Sequence, residues 1–437
     1  MPNLPLAKLP LEGIRILDMT LVWAGPYATA LLADLGAEII RVESTQFFPP
    51  LTRGVMAHPS QALIERIPVF VAGLPNMEVG QRPWNRWPLF NSHARNKLSM
   101  TVDLLKPEGK EVFRRLVEVS DVLVENNPTD TMEKLGISYE SLTEINSDFI
   151  MLRMPGFGNS GAYKNYRAVA PMNEDVAGHN TLRGYTDMDA TGVTSVYAAD
   201  AASGAGGAFA VLAALNYRRR TGKGQLVELA QVEHFLPYLG QAIMDFTMNQ
   251  RLQVSLGNRH PYAIQGCYQC LGEDRWVCIT IFNDADWDAF RSALGNPQWA
   301  EEEKFADPLS RLRHHDEIDQ HISQWTSQID HIQVMERLQS AGVAAGPVLD
   351  QRDAYNDPHL QERGIFQEAY QEDTGTHKYP GAPFKLSETP AEIRRGPVRL
   401  GEDNEYVYKT LLKYSDEEYA NLEESGHIGM EYAEGVP

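Results

Sequence analysis

Apolar residues in this chain come in short runs that alternate with amphipathic stretches, and that alternation predicts most of the fold. Gly13-Ile14-Arg15-Ile16-Leu17-Asp18 reads as a short buried strand. Beyond Gly25-Pro26, the residues Ala28, Ala30, Leu31, Leu32 and Leu35 predict a helix that stops at Gly36, and a proline suits its opening because no intrahelical partner awaits an N–H there. Ile39-Ile40-Arg41-Val42 is the next strand, and a right-handed crossover makes the two strands parallel. The same alternation returns with a strand over 98–102, a helix over 107–119, a strand over 122–124, a helix over 139–145 and a strand over 149–154. Strands alternating with helices in this way predict an α/β fold built on a doubly wound parallel sheet.

Two stretches break the rhythm. Residues 46–90 are rich in proline and carry the aromatic group Trp84, Trp87 and Phe90, so they read as an insertion or a functional loop. After the strand at 149–154 comes a turn studded with Gly156, Gly158 and Gly161, running on through Ala170-Pro171-Met172-Asn173-Glu174-Asp175 to Gly178. Ligands of open α/β sheets bind beyond the carboxyl ends of the strands, so this turn is the first place to look for chemistry. Residues 197–217 are Ala- and Gly-rich. Gly204-Ala205-Gly206-Gly207 falls short of a dinucleotide fingerprint because Phe209 occupies the last glycine position, which leaves close helix packing as the reading. A second long helix is predicted over 227–248. A strand over 275–281 and helical patterns through Gly342 then suggest a smaller α+β domain. The expected organisation is a large domain over 1–225, a small domain with its connecting helix over 226–345, and a linker that returns to the large domain over 346–437.

The net charge of −20 and pI near 5.0 argue against a nucleic-acid binder, whose affinity comes mainly from cations on phosphates. The first eight residues lack the apolar core of a signal peptide, and no apolar run approaches the ~20 residues of a membrane helix, so a cytoplasmic protein without a membrane partner is expected. Only Cys267, Cys270 and Cys278 are present, too few for a disulfide framework. Cys267 and Cys270 stand at C-x-x-C spacing with His260 near, but a second pair is missing. They read as strand or hairpin residues, and no metal is expected.

These stretches together resemble the class III CoA-transferase family, also called the carnitine-dehydratase/bile-acid-inducible family. The likeness runs along nearly the whole chain, through residues 11–18, Ala24-Gly25-Pro26, residues 35–43, Asn96-Lys97, Asp103-Leu104, Pro107-Glu108-Gly109, Val124-Glu125-Asn126, residues 220–225, Ala345-Gly346-Pro347-Val348 and Pro380-Gly381-Ala382-Pro383. It implies a Rossmann-like CoA-binding large domain, a smaller α+β domain and two chains interlocked like links. It also implies that CoA or an acyl-CoA is a substrate, lying across Val22, Trp23 and Ala24, the Arg41 strand end, Arg95, Asn96 and Lys97, with Lys134 at a further basic position. Taken singly, Arg41, Arg95 and Lys134 read as solvated surface charges.

The likeness fails where the family keeps its nucleophile. The family pattern puts an aspartate eight residues before a glycine, and counting back from Gly178 reaches Ala170, with Glu174 where a glutamine is expected. Alanine cannot attack a thioester. Leu98 and the run Asn126-Asn127-Pro128 also replace stretches in which the family carries arginines suited to CoA phosphates. Glu174 and Asp175 are the candidate substitutes. If the segment is helical, Glu174 lies one turn beyond Ala170, although both also suit an acidic first turn of a helix. A racemase variant would need its aspartate at the same alanine, and His179 alone reads as structural. The sequence therefore predicts a CoA-transferase subunit that works in a heteromer with an Asp-bearing homologous subunit, on an acyl-CoA such as succinyl-CoA and a carboxylic acid such as benzylsuccinate. The alternatives are an active enzyme using Glu174 or Asp175, and a non-catalytic CoA-ester-binding protein.

Overall fold

The computed structural model describes residues 9–66, 73–194 and 196–437. Residues 1–8, on which the reading of the N-terminus rests, and 67–72 of the proline-rich segment lie outside the described residues. Six strands form one parallel sheet: β1 (Arg15–Met19), β2 (Glu38–Glu43), β3 (Lys97–Thr101), β4 (Val122–Glu125), β5 (Ile150–Arg153) and β6 (Leu226–Glu228), in the order β3-β2-β1-β4-β5-β6. Register runs Ile16↔Ile39 on one side of β1 and Ile16↔Val122 on the other. Strand order reverses between β1 and β4, which makes the space beyond their carboxyl ends the switch point of a doubly wound sheet.

Every residue of β4 and β5 is buried, which is why these strands read as unbroken apolar runs. The pleat sorts their side chains into two cores. Ile16, Ile39, Val124 and Leu152 face α1 (Ala24–Asp34), packing with Ala28, Leu31 and Leu32. Leu17, Ile40, Leu123 and Met151 face α2 (Pro107–Glu118), packing with Val112, Phe113 and Leu116.

Beyond β5 come α3 (Ala170–Ala177) and the 24-residue α4 (Ala198–Thr221), which packs on α1 through Ala208 and Val211. Its glycines allow that approach. A Cβ on Gly204 would stand 2.9 Å from the Ala24 carbonyl oxygen, and one on Gly207 would stand 2.8 Å from the Met154 sulfur. Among the described residues α4 is also long and apolar enough to cross a membrane by length and composition, with half of its apolar stretch buried. This corrects the expectation that no stretch comes near that length: alanine and glycine make the helix apolar without making it bulky.

The helix expected over 227–248 is not continuous. Residues Leu226–Glu228 pair with β5 as β6, a short helix follows at Gln231–Phe235, a tight turn at Leu236–Leu239, and a second helix at Gly240–Asn249. Pro237 lacks the N–H that a continuous helix needs at that point.

The chain divides into two compact units, one from 1–178, 195–243 and 363–437, the other from 179–194 and 244–362. In the first, the segment 46–90 is held by its aromatics. Trp87 and Phe90 pack with Ile64 and Val398, and Trp84 packs with Phe48, Leu400 and Tyr432. The second unit carries the antiparallel strands β7 (Ile264–Gln269), β8 (Trp276–Ile281) and β9 (Ala344–Val348) in the order β7-β8-β9. Helices α5 (Asp284–Leu294), α6 (His315–Thr326) and α7 (His331–Ser340) contribute Trp287, Phe290, Ile318, Ile322, Val334 and Leu338 to the core beneath them.

Candidate functional site

At the switch point the chain turns from β1 into α1 through Thr20, Leu21, Val22 and Trp23. Val22 holds φ at 61°, a conformation that costs a β-branched residue ~1–3 kcal/mol and persists only where its surroundings enforce it. The enforcement is visible. The Val22 N–H donates to Thr52 Oγ1 at 3.1 Å, the Leu21 N–H to Asn126 Oδ1 at 2.7 Å, and Asn126 Nδ2 to the Leu21 carbonyl at 2.9 Å, while Asn127 Nδ2 reaches the Met19 carbonyl at 3.0 Å. The loop after β4 thus clamps the loop after β1. No side chain caps α1, so the backbone N–H groups at its start are left to other partners. Trp23 lies against His93 and Tyr197, each with ring centres 5.7 Å away.

Beneath the turn is a buried charge network. Asp18 accepts from Thr29 Oγ1 at 2.7 Å, from Lys97 Nζ at 3.1 Å and from Arg41 at 3.1 Å. Lys97 also donates to the Pro26 carbonyl at 2.9 Å, which ties β3 to the first turn of α1. Arg41 reaches Glu43, and Glu43 takes a two-pronged bond from Arg53 at 2.6 and 2.7 Å and a third from Ser99. Burial alone would raise both carboxyls, but the cations override it. Lys97 and Arg41 hold Asp18 far below the ordinary carboxylate range, and Arg53 and Arg41 hold Glu43 at about 2. Burial, only partly offset by Asp18, brings Lys97 down to about 8. Burial and the nearby Lys97 and Arg95 push His93 down to about 3, which keeps it neutral.

A second charged corner lies where α3 meets the start of α4. Ala170 is the first residue of α3 and is 4% exposed. One turn on, Glu174 is fully buried, and its Oε1 accepts from the Ala199 N–H at the start of α4 at 3.5 Å. Asp200, the next residue of α4, is 7% exposed and faces Glu174. Here burial and the neighbouring like charge act together, and the Asp200 carboxyl is raised to about 7. Asn173, beside Glu174 on α3, donates to Gln231 at 3.1 Å, and Gln231 in turn donates to the Met154 carbonyl at the end of β5 at 2.9 Å. The corner is thereby tied to the sheet.

With this geometry in place, the comparisons decide the family. The sequence profile of CoA-transferase family III matches residues 11–404. The chain belongs to CoA-transferase family III. It is 30% identical over 417 residues to the succinyl-CoA--L-malate CoA-transferase beta subunit of Chloroflexus aurantiacus, covering 95% of this chain and 97% of the relative. It is 28% identical over 416 residues to the alpha subunit of that name from the same organism, covering 95% and 92%. Among solved structures, a CaiB/BaiF family protein from Brucella suis aligns with a TM-score of 0.77 and 25% identity, over 92% of this chain and all of that one.

For a family III chain, the residues expected at the CoA site are placed unevenly. Val22, Trp23 and Ala24 form the switch-point turn. Arg41 and Lys97 lie directly beneath it, buried and paired with Asp18. Arg95 is buried against Asp34 at 2.7 Å, and Asn96 holds the C-terminal segment by accepting from the Arg394 and Arg395 N–H groups at 2.7 and 3.0 Å. The surface-charge reading is therefore wrong for Arg41 and Arg95: neighbouring carboxylates pull both into the interior. Lys134 alone is exposed, against Asp130. Glu174 and Asp175 do not form an acidic first turn either, since α3 begins at Ala170 and has no acidic residue in that turn. His179 lies just past the Gly178 cap, in the stretch 179–194 that belongs to the second unit.

Asp200 is the residue that sequence reasoning missed. The available signal was its isolation, as the only charged residue between Ala198 and Tyr217 of an Ala- and Gly-rich helix. Among the described residues there is no group of three or more His, Cys, Asp or Glu able to hold a metal.

Proposed function

We propose that this chain is the non-catalytic member of a two-subunit CoA-transferase that moves CoA from an acyl-CoA such as succinyl-CoA to a carboxylic acid, in the cytoplasm. The observation that carries the reading is Ala170. The family framework is intact around it, yet a buried methyl opens α3 where the family resemblance calls for a nucleophilic carboxylate. In the partner, an aspartate would attack the thioester carbonyl and expel CoA thiolate, leaving a mixed anhydride that the thiolate reopens as an enzyme-bound thioester. Here the large domain, within 1–225, would hold CoA at the Val22-Trp23-Ala24 turn, where the uncapped start of α1 suits a phosphate. Arg41, Arg95, Asn96 and Lys97 would set the shape of that turn, and exposed Lys134 would remain available to phosphate. Interlocked chains fit this reading, as do the two relatives named as the beta and alpha subunits of a single transferase.

The test is co-expression with an Asp-bearing homologue, followed by native mass spectrometry and a CoA-transfer assay. We expect no transfer by the isolated chain, and a mixed assembly whose activity disappears when the partner's aspartate becomes alanine. A homodimer that ignores the homologue, or full turnover by this chain alone, rejects the reading.

A second reading has one observation in its favour. Glu174 and Asp200 form a buried carboxyl pair one turn from Ala170, and burial together with the neighbouring charge raises Asp200 into the range where it exchanges protons near neutrality. One of the pair could supply the nucleophile, with Asp175 as the remaining candidate. Loss of isolated-chain turnover in Glu174→Gln, Asp200→Asn or Asp175→Asn would identify which.

A further inference from the structure

The C-x-x-C spacing of Cys267 and Cys270 draws attention to the wrong pair of sulfurs. Cys267 lies within β7, whereas Cys270 follows the strand, sits in the hydrophobic core and donates its S–H to the Tyr268 carbonyl at 3.8 Å. The strand register instead sets Cys267 directly opposite Cys278 of β8. Facing residues of antiparallel strands have Cα atoms ~4.5–5.5 Å apart and side chains on the same face. A disulfide needs Cα atoms ~4.4–6.8 Å apart, so this pair can close without backbone movement. Both thiols are free, and Cys278 is close enough to Cys267 to perturb its titration.

The surroundings favour reaction from one side. Cys278 is exposed and Cys267 half-buried. On its other flank, Cys278 pairs with Gly346 of β9, where an added Cβ would meet nothing within 4 Å. The third strand therefore leaves open room beside the exposed sulfur. Cys267 also lines a cavity of about 460 Å³ in the second unit, together with Arg259, Tyr268, Asp316 and Asp319.

We infer that Cys267 and Cys278 form a reversible oxidation site, closed by thiol–disulfide exchange with a low-molecular-weight disulfide. The Cys278 thiolate attacks one sulfur of the small disulfide, breaking its S–S bond and releasing one thiol. The Cys267 sulfur, after losing its proton to solvent, attacks Cys278 in the mixed disulfide and releases the second thiol. The protein gives up two electrons and two protons, and the small disulfide becomes two thiols. Burial and the neighbouring Cys278 hold the Cys267 thiol up at about 12, so attack starts from the exposed sulfur and the second step is the slower one. In a reducing compartment such a bond forms transiently, as a response to oxidant, and does not serve as a standing staple. Closure would pin β7 to β8 along the edge of the cavity.

Treating the full-length protein with excess oxidised glutathione, followed by intact-mass and peptide mapping, tests this. The expected product is a chain lighter by two hydrogens, containing a peptide pair that joins Cys267 to Cys278 and separates on reduction. Cys270→Ser should behave like the unmodified sequence. Cys267→Ser should instead retain glutathione on Cys278, and Cys278→Ser should give neither bridge nor adduct at this strand pair. Persistent glutathione on Cys278 of the unmodified sequence without a bridge, or a bridge from Cys267 to Cys270, overturns the assignment.

Discussion

Two groups of buried carboxyls in the first unit behave in opposite ways. Asp18 and Glu43, under the switch-point turn, are surrounded by Lys97, Arg41 and Arg53 and stay ionised far below the ordinary range. Glu174 and Asp200, at the junction of α3 and α4, face one another, and Asp200 is raised to about 7. Burial acts in the same direction in both places, so it is the sign of the nearest charge that separates them. The first arrangement suits a rigid scaffold beneath the switch-point turn. The second suits proton exchange near neutrality, and it stands one helical turn from Ala170, the position on which the proposed function rests.

The largest effect should come from breaking the first group. Asp18→Asn leaves Lys97 and Arg41 buried without their shared counter-charge and should lower stability by about 3–5 kcal/mol, read from the urea midpoint. A change under 1 kcal/mol would mean that the network is relaxed by water or by movement. The pH dependence has a definite sign. Both carboxyls titrate lower folded than unfolded, so the unfolded chain binds more protons in acid. Their contribution is complete above about pH 5 and is lost as pH falls toward about 2.

Asp200→Asn should act in the other direction. Asp200 titrates higher folded than unfolded, so the penalty on its ionised form is absent below about pH 4 and grows as pH rises through 7. The substitution should therefore stabilise by on the order of 2–4 kcal/mol at pH 8 and hardly at all at pH 4, measured as the difference between two denaturation series. Equal effects at both pH values would show that the gain comes from packing. The smallest shift is expected from Glu174→Gln. Removing the like charge while keeping the shape should bring the Asp200 titration down by about one unit, equivalent to ~1.4 kcal/mol, as followed by carboxyl NMR or infrared titration. An unmoved Asp200 would leave burial as the sole cause.

The contrast between these corners also marks how far the sequence could be read. β1, β2, β4 and β5 are legible because strands covered on both faces must be continuously apolar, and Ile16-Leu17 or Leu123-Val124 admit little else. That Glu174 lies one helical turn beyond Ala170 was legible by counting along one segment. Asp200 was not, because its partner lies 26 residues earlier and only the meeting of two helices creates their interaction. For the same reason the charge at Arg41 looked like surface: its counter-ion comes from a neighbouring strand. The break at Pro237 could have been read directly, but the apolar residues on either side of it imitate a single helix. Leu98, at a position where the resemblance leads one to expect an arginine, is half-buried against the core beside α2.

The approach of α4 to α1 also limits how this site can change. Gly204 lets the carbonyl of Ala24 come so near that even one added methyl would stand 2.9 Å from it. Ala24 begins the helix that follows the switch-point turn, and Asp200 lies one helical turn before Gly204. Gly204 therefore acts as a gauge block between the turn and the carboxyl corner. Side chains such as the one at position 170 can be exchanged within that fixed frame, whereas Gly204→Ala would move the frame itself and alter both ends together.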